Sequence, residues 1–374
     1  MSVTTRAVPM DGLTPDDLAR WRDLAARAAE PNVFFEPELL LPAVRALARP
    51  GAVRLLVVAD GDGRWTACAP VHRVAAWGRL RLPCTAVWAH PFCGLEAPLV
   101  DGADPVPALT ALLGAMRRPT AGLFAAFTQI PAGPLRQALD VAAGGAGIEV
   151  ASYERAGLRR RSSFTYMDGM KSKRRQELAR HRRRLEERHG PVAVVDLARD
   201  PQGVETFLAM EASGWKGREG SALAADPAHA DFFREACAGL RALGRLELLT
   251  LTAGGRPVAM KCNMVAGDRI FGVKQAFDES MATYSPGKLL DIDTMRGFHD
   301  RPELALLDTI ASADNATVNA MWPDRLRMST VLVPARGPLG AAAGAALRTA
   351  LRRRSAPAER PARAEPLTGA EVPA

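Results

Sequence analysis

The stretch Tyr284-Ser285-Pro286-Gly287-Lys288 brings together residues that can hold an anion. Ser285 can cap a helix by accepting from an orphan backbone N–H. Pro286 suits the first helical position, where its missing donor is not needed, and Gly287 lets a ligand come close to the backbone. A helix that starts this way bares N–H groups at the positive end of its dipole, a setting that binds phosphate without a dedicated basic side chain. Lys288 adds a cation. The same residues also serve simply to cap an ordinary helix, so their meaning depends on the elements that carry them.

Those elements follow one pattern twice. Residues 14 to 29 open with a Thr-Pro-Asp cap and continue as a helix with Leu18, Trp21 and Leu24 or Ala25 on one face. Residues 53 to 74 are two β-rich runs around an Asp-Gly turn, a hairpin. A helix over 105 to 118, an apolar strand from 122 and a helix from 134 stopped by glycines follow. Residues 151 to 166 mix charge and short polar residues without periodicity and mark a break. Beyond it come a basic helix, a strand at 191 to 197, and helices over 204 to 213 and 227 to 243. Three strands then follow in close succession, joined at Gly254-Gly255 and Gly267-Asp268, which requires an antiparallel meander. The Ser-Pro-Gly helix comes next, burying Leu289, Ile292, Met295 and Phe298, and residues 303 to 311 supply a further strand. From 337 the chain becomes rich in Ala, Arg and Pro, and from about 355 it reads as disordered.

At 374 residues the chain is long enough for two domains of ordinary size. A formal charge of +8 is a hint of an anionic partner and no more, because an Arg-rich, Ala-rich composition has other origins. Cysteines 68, 84, 93, 237 and 262 form no CxxC pair, which points to reduced thiols in a cytoplasmic protein and to no metal. The N-terminus carries no basic-then-apolar signal, and no apolar run approaches the roughly 18 residues of a membrane span. GxSxG, HExxH and GxxxxGK[ST] are all missing, so serine hydrolase, zincin and P-loop chemistry lack their marks. His90 reads as a packed or loop histidine, with lining of the interdomain cleft as the alternative, and Cys93 and Cys262 lack a visible activating partner.

A meander followed by a phosphate-ready helix start resembles the acyl-CoA site of the GCN5-related N-acetyltransferases. Three segments, WKGREGSAL at 215 to 223, AFDESMATYSPGKLL at 276 to 290 and DTIASADNATVNAMWPDR at 308 to 325, resemble the BioF2-like or CelD-like branch, the latter tied to polysaccharide synthesis. The resemblance spans roughly 150 to 335. It implies an α/β protein of tandem acetyltransferase-like domains, each a mixed, mostly antiparallel sheet flanked by helices. Residues 1 to 150 would be a degenerate first copy, 151 to 336 the copy with the acyl-CoA site, and 337 to 374 a largely disordered tail. The departure from the commoner pattern of a Gln or Arg followed by spaced glycines leaves open which N–H groups meet phosphate.

The resemblance also implies roles. Tyr284, Ser285, Pro286, Gly287 and Lys288 would cradle the pyrophosphate of coenzyme A, with Lys274 beside them. The pantetheine arm would pair with the strand RIFGVKQAFD at 269 to 278, where Gly272 and the alternation around Val273 permit close approach. Acyl transfer from a thioester needs a base, an oxyanion donor and a proton for the thiolate. The candidates for the base are Glu211, Asp278 and Asp308. Glu211 alternatively caps or pairs with Lys216, Asp278 fixes the loop, and Asp308 holds a neighbouring helix. Tyr284 is either the acid or a packing residue against the cofactor.

Residues 170 to 190 carry about nine Lys or Arg with Leu178 and Leu185 one heptad apart, a helix with a narrow buried stripe and a broad basic face. Such a face is commonly just solvated. The cofactor's 3′-phosphate, a polyanionic glycan or, by similarity to FemAB-like aminoacyl transferases, a charged tRNA would also account for it. No aromatics are interleaved for base stacking, which disfavours nucleic acid as the partner. The expectation is an acetyl-CoA-dependent transferase acting on an amine or hydroxyl of a sugar, polysaccharide precursor or other polar metabolite. The alternatives are aminoacyl transfer from tRNA and a non-catalytic CoA- or polyanion-binding protein.

Overall fold

The structure, a computed structural model, describes residues 3–75, 82–117 and 122–355. The first half runs β1 (Thr4–Pro9), α1 (Pro15–Ala26), α2 (Pro37–Leu47), β2 (Arg54–Ala59), β3 (Trp65–Val74), β4 (Cys84–Val87), β5 (Leu99–Val100), α3 (Pro105–Met116), β6 (Phe124–Pro131) and α4 (Pro134–Ala142). The second begins with β7 (Ile148–Arg159), α5 (Ser172–His189), β8 (Val192–Asp196), α6 (Gly203–Ser213), the short α7 (Trp215–Arg218) and α8 (Pro227–Ala242). It continues through β9 (Leu246–Ala253), β10 (Arg256–Ala266), β11 (Arg269–Phe277), α9 (Pro286–His299), β12 (Leu306–Asp308), α10 (Ala316–Met321), β13 (Asp324–Pro334) and α11 (Pro338–Ser355).

Local chemistry sets several of these boundaries. Thr14 and Asp17 close a reciprocal capping box at α1, and the Asp226 side chain accepts from the Ala228 N–H where Pro227 opens α8. Gly254, Gly255 and Gly267 take positive φ at the two tight turns that force β9, β10 and β11 into the expected antiparallel meander.

The strands form one sheet in the order β1-β2-β3-β4-β6-β13-β7-β12-β11-β10-β9-β8, with β5 on β3. Read from either edge the order is the same: four antiparallel strands, a parallel step (β4 to β6, β11 to β12), then antiparallel neighbours. At the centre one strand crosses over. β7 lies against β12 of its own half, while β13, the last described strand, lies between β7 and β6 of the first half.

Three readings of the sequence change here. Residues 151 to 166 hold most of β7, a central strand, rather than a break. The strand expected over 303 to 311 is confined to Leu306–Asp308, and β13 went unrecognised. The Ala/Arg/Pro-rich segment from 337 begins as a helix, α11, which lays Ala343, Leu347 and Leu351 on a cluster containing Phe124 and Leu332. The disorder expected past 355 falls outside the described residues.

Helices cover both faces. One core joins the halves, with α2 packed on α8 and the Phe34 ring meeting Phe271 edge-on at 5.5 Å. A second core lies under α5 and α9, where Leu178 and Leu185 form the narrow buried stripe of α5 and Leu289, Ile292, Met295 and Phe298 that of α9. All five cysteines are buried and free. Among the described residues no helix is long and apolar enough to cross a membrane.

Candidate active site

β11 and β12 pair over three positions, ending at Phe271 and Asp308, and then part. A bulge drives β11 away. Asn263 faces Gly272 while Cys262 faces Lys274, so Val273 is an extra residue with no partner in the β10 ladder, and the strand bends there. The first half repeats the parting where β4 and β6 separate after Ala86 and Ala126. Both openings face one cavity of about 1340 Å³. The second half contributes Gly272 to Gln275, the start of α9 and the loop from Thr309 to Ala313. The first contributes Pro91 to Gly94, Glu96, Thr128 and Gln129.

Backbone strain marks this cavity. Among the described non-glycine residues, positive φ occurs at Gln129 (48°), Ser285 (52°) and Ile310 (45°), and all three line it. Such conformations cost about 1–3 kcal/mol each and persist where the surroundings enforce them.

The start of α9 differs in detail from the expected cap. The Ser285 side chain makes no capping bond. Its left-handed backbone instead turns its carbonyl to accept from the Lys288 and Leu289 N–H groups, at 3.0 and 3.2 Å. Pro286 has no donor, so Gly287 supplies the amide of this turn left without an acceptor among the described residues. Gln275 fixes the turn by donating to the Gly287 carbonyl at 2.8 Å. Lys274, Ser285, Pro286, Gly287 and Lys288 all line the cavity. Tyr284 does not, because it packs behind the turn with its ring edge-on to His189.

The other acid–base candidates also lie off the cavity wall. Glu211 is buried behind it, receiving Lys216 at 3.0 Å, Lys274 at 3.2 Å and the Leu223 N–H at 2.9 Å. Burial acts to raise its carboxyl, but Lys274, that amide and Lys216 outweigh it and hold the group below the usual carboxylate range. It is a poor base, and its role is to anchor two lysines that do face the cavity. Asp278 points outward to Ser280 and Arg256 and fixes the loop. Asp308 is taken up by buried Arg155 and the Ile310 N–H.

Sequence reasoning missed the first-half wall. Glu96 is 8% exposed and accepts from Gln129 Nε2 at 2.9 Å. Gln129 Oε1 accepts from the Tyr153 hydroxyl at 3.0 Å and from Arg155 at 3.3 Å, which fixes the orientation of its amide. Burial, partly offset by the Gln129 bond, pushes the Glu96 carboxyl up to about 7. His90 lies in the same region, walled by Trp88, Phe92 and Phe232, and burial lowers its imidazole to about 3, so it is neutral. Cys93 lines the cavity, but burial pushes its thiol far up and it donates to the Leu95 carbonyl, which leaves no thiolate.

Residues 172–315, from α5 to the loop beyond β12, match the family model described as acetyltransferase (GNAT) domain. This segment is a GNAT domain. The match omits β7 and β13, the two central strands of the sheet. The fold of most of the chain has counterparts among solved structures. It is shared with a crystal structure of FemX (TM-score 0.58, 9% identity, 89% of this chain and 97% of that one). It is shared also with a conserved protein of unknown function from Bacteroides thetaiotaomicron VPI-5482 (0.55, 14%, 84% and 97%). A third likeness is to the C-terminal domain of a putative lysylphosphatidylglycerol synthetase from Agrobacterium fabrum (0.51, 16%, 90% and 96%). At these identities the likeness is one of fold. No curated protein sequence matches the chain. The GNAT domain places the protein among the acyltransferases.

Proposed function

We propose that the protein transfers an acyl group, acetyl in the first instance, from coenzyme A to an amine or hydroxyl of a sugar, polysaccharide precursor or other polar metabolite. The observation that carries this reading is the parting of β11 and β12 beside the bared start of α9, both opening into one cavity. The diphosphate would meet the Gly287 N–H and Lys288. The pantetheine arm would run along Gly272, Val273 and Lys274. A Cβ at Gly272 would come no closer than 3.5 Å to any protein atom, so packing alone does not demand glycine there, whereas a close-lying ligand would. The unpaired backbone of Val273 is then suited to receive the developing oxyanion. The acceptor would enter along Glu96, Phe92 and Gln129. In this reading residues 1 to 150 are a degenerate copy that walls the acceptor side, and 151 to 336 hold the donor.

One observation favours a second reading, aminoacyl transfer from charged tRNA. A smaller cavity of about 230 Å³, lined by Lys171 and by Lys173, Arg174, Glu177 and His181 of the basic helix, shares Ser285 and Lys288 with the main one. Calorimetric titration with acetyl-CoA, CoA and bulk tRNA at two salt concentrations separates the two. Saturable micromolar binding of acetyl-CoA supports the first reading. Salt-sensitive tRNA binding without a CoA response replaces it with the second.

A further inference from the structure

Eight acidic side chains are buried among the described residues: Asp17, Glu30, Glu36, Glu96, Glu211, Glu247, Asp291 and Asp308. Seven of them are ion-paired, to Arg6, Arg269, Arg245, Lys216 with Lys274, Arg301, Lys261 and Arg155. Glu96 is the exception. Its one partner among the described residues is a neutral amide, that of Gln129, on Oε1. The nearby guanidinium of Arg155, which shares Gln129, is committed to Asp308 and to the Gly94 carbonyl. An isolated buried carboxylate is costly unless something supplies the opposite charge, and Glu96 lines the cavity rather than the packed interior.

We propose that the missing counter-charge is the substrate: Glu96 binds the ammonium of a primary-amine acceptor through Oε2 and takes its proton. This rests on the acyl-transfer reading above and narrows it to an N-acyltransferase. A hydroxyl acceptor would leave the carboxylate as unpaired as before. The ammonium R–NH₃⁺ gives one proton to Glu96 and becomes the free amine. Its lone pair attacks the thioester carbonyl, the C–N bond forms and the carbonyl oxygen becomes the oxyanion. Collapse breaks the C–S bond, and the second nitrogen proton leaves with the thiolate as the thiol of CoA. Glu96 then releases its proton to solvent. Gln129 is a positioning residue, held by its strained backbone and by Tyr153 and Arg155 so that its amide always donates to Oε1.

The test is thiol release from acetyl-CoA with glucosamine, 1,4-diaminobutane and L-lysine as acceptors, and with glucose and 1,4-butanediol as hydroxyl counterparts, for wild type and Glu96→Gln. The amines should accelerate release and the hydroxyl compounds should not. Glu96→Gln should lower amine-dependent kcat/KM by about 10²–10⁴-fold with unchanged acetyl-CoA affinity. It should also remove the rise of kcat/KM with pH. The other titratable groups near Glu96 are Cys93 on its own loop and Tyr153 and Arg155 on β7, and Lys216, Lys274, Lys288 and Asp291 line the same cavity. Equal acceleration by hydroxyl compounds, or full activity in the variant, overturns the proposal. A second arm omits the donor: the amines should raise the melting temperature of wild type and not of Glu96→Gln. If that response appears while acetyl-CoA fails to bind, the amine site stands and the acyl-CoA reading falls. If acetyl-CoA binds and the amines produce neither response, the amine site falls alone.

Discussion

Arg155 on β7 and Asp308 at the end of β12 form an ion pair that water barely reaches, with side chains 1% and 6% exposed. The pair sits where β11 and β12 part. Arg155 also reaches the Gly94 carbonyl and Gln129, and Asp308 accepts from the strained Ile310 N–H at 2.9 Å. One guanidinium therefore ties both walls of the cavity to the central strand.

Removing either partner should leave a buried charge alone. Arg155→Ala or Asp308→Ala should cost about 3–5 kcal/mol, read from urea denaturation midpoints at constant slope. The double replacement Arg155→Met with Asp308→Leu should recover much of that stability. It should not recover turnover, because Gln129 loses a donor. Single variants within about 1 kcal/mol of wild type would show that the pair is solvated and not a tie.

The same pair explains what the sequence hides. YERAGLRR reads as polar because its partners lie far along the chain, Asp308 for Arg155 and the strands β12 and β13 on either side. Neither periodicity nor local propensity signals a strand whose burial is licensed from 153 residues away. The meander and α9 were legible because short turns and a Pro-Gly start are local signals. Lys274 and Ser285 to Lys288, which line the cavity, are reached through them, whereas Glu96 sits in PFCGLEAP, a loop without motif or period. Its mark is the absence of a charged partner, which only three dimensions display. Glu211 looked like a base from its place beside Trp-Lys-Gly. The fold turns that neighbourhood into a salt-bridged anchor.

Gly287→Glu places bulk and negative charge where the diphosphate is expected. A Cβ at this position would meet the Gln275 amide at 3.3 Å, a flexible neighbour, so the fold should survive with an unchanged melting temperature within a few degrees. Acetyl-CoA binding should be lost in calorimetry, while Gly287→Ala should weaken it only a few-fold. Unchanged affinity in the Glu variant would remove the α9 start from the donor site.

Glu211 should shape the acid limb of stability. Its folded carboxyl lies below the usual 4.5, so the unfolded chain binds the proton more readily. The stabilisation is therefore present above about pH 4.5 and lost as pH falls through the lower folded value. Melting temperature should drop more steeply in acid for wild type than for Glu211→Gln. The variant should also be less stable at pH 7, where Lys216 and Lys274 lose their shared anion. Parallel acid limbs would contradict this.

The cavity lined by Lys171, Lys173, Arg174, Glu177 and His181 also abuts Lys288, so under the acyl-CoA reading it would take the 3′-phosphate of the donor in place of a tRNA phosphate. Wild type should bind CoA about tenfold or more tightly than 3′-dephospho-CoA. Lys173→Glu with Arg174→Glu should erase that preference and leave dephospho-CoA affinity nearly unchanged. A double variant that weakens both ligands equally would instead make these residues part of the general field of the helix, and loss of tRNA binding alone would favour the aminoacyl-transfer reading.

An active-site carboxylate left without a counter-ion should destabilise the enzyme that keeps it. The Glu96 carboxyl rises from 4.5 to about 7 on folding, so between those values the folded state holds a proton that the unfolded chain has released. Stability then falls as pH climbs from about 4.5 towards 7 and stays low above it, by up to about 3 kcal/mol. Glu96→Gln keeps the shape and removes the ionisation. It should match wild type near pH 4.5 and exceed it at pH 8, while losing amine-dependent turnover. Chemical denaturation at the two pH values measures the difference directly. A variant less stable than wild type at pH 8 would mean that the ionised carboxylate already has a protein partner, and the argument that an ammonium substrate completes the site would fail with it.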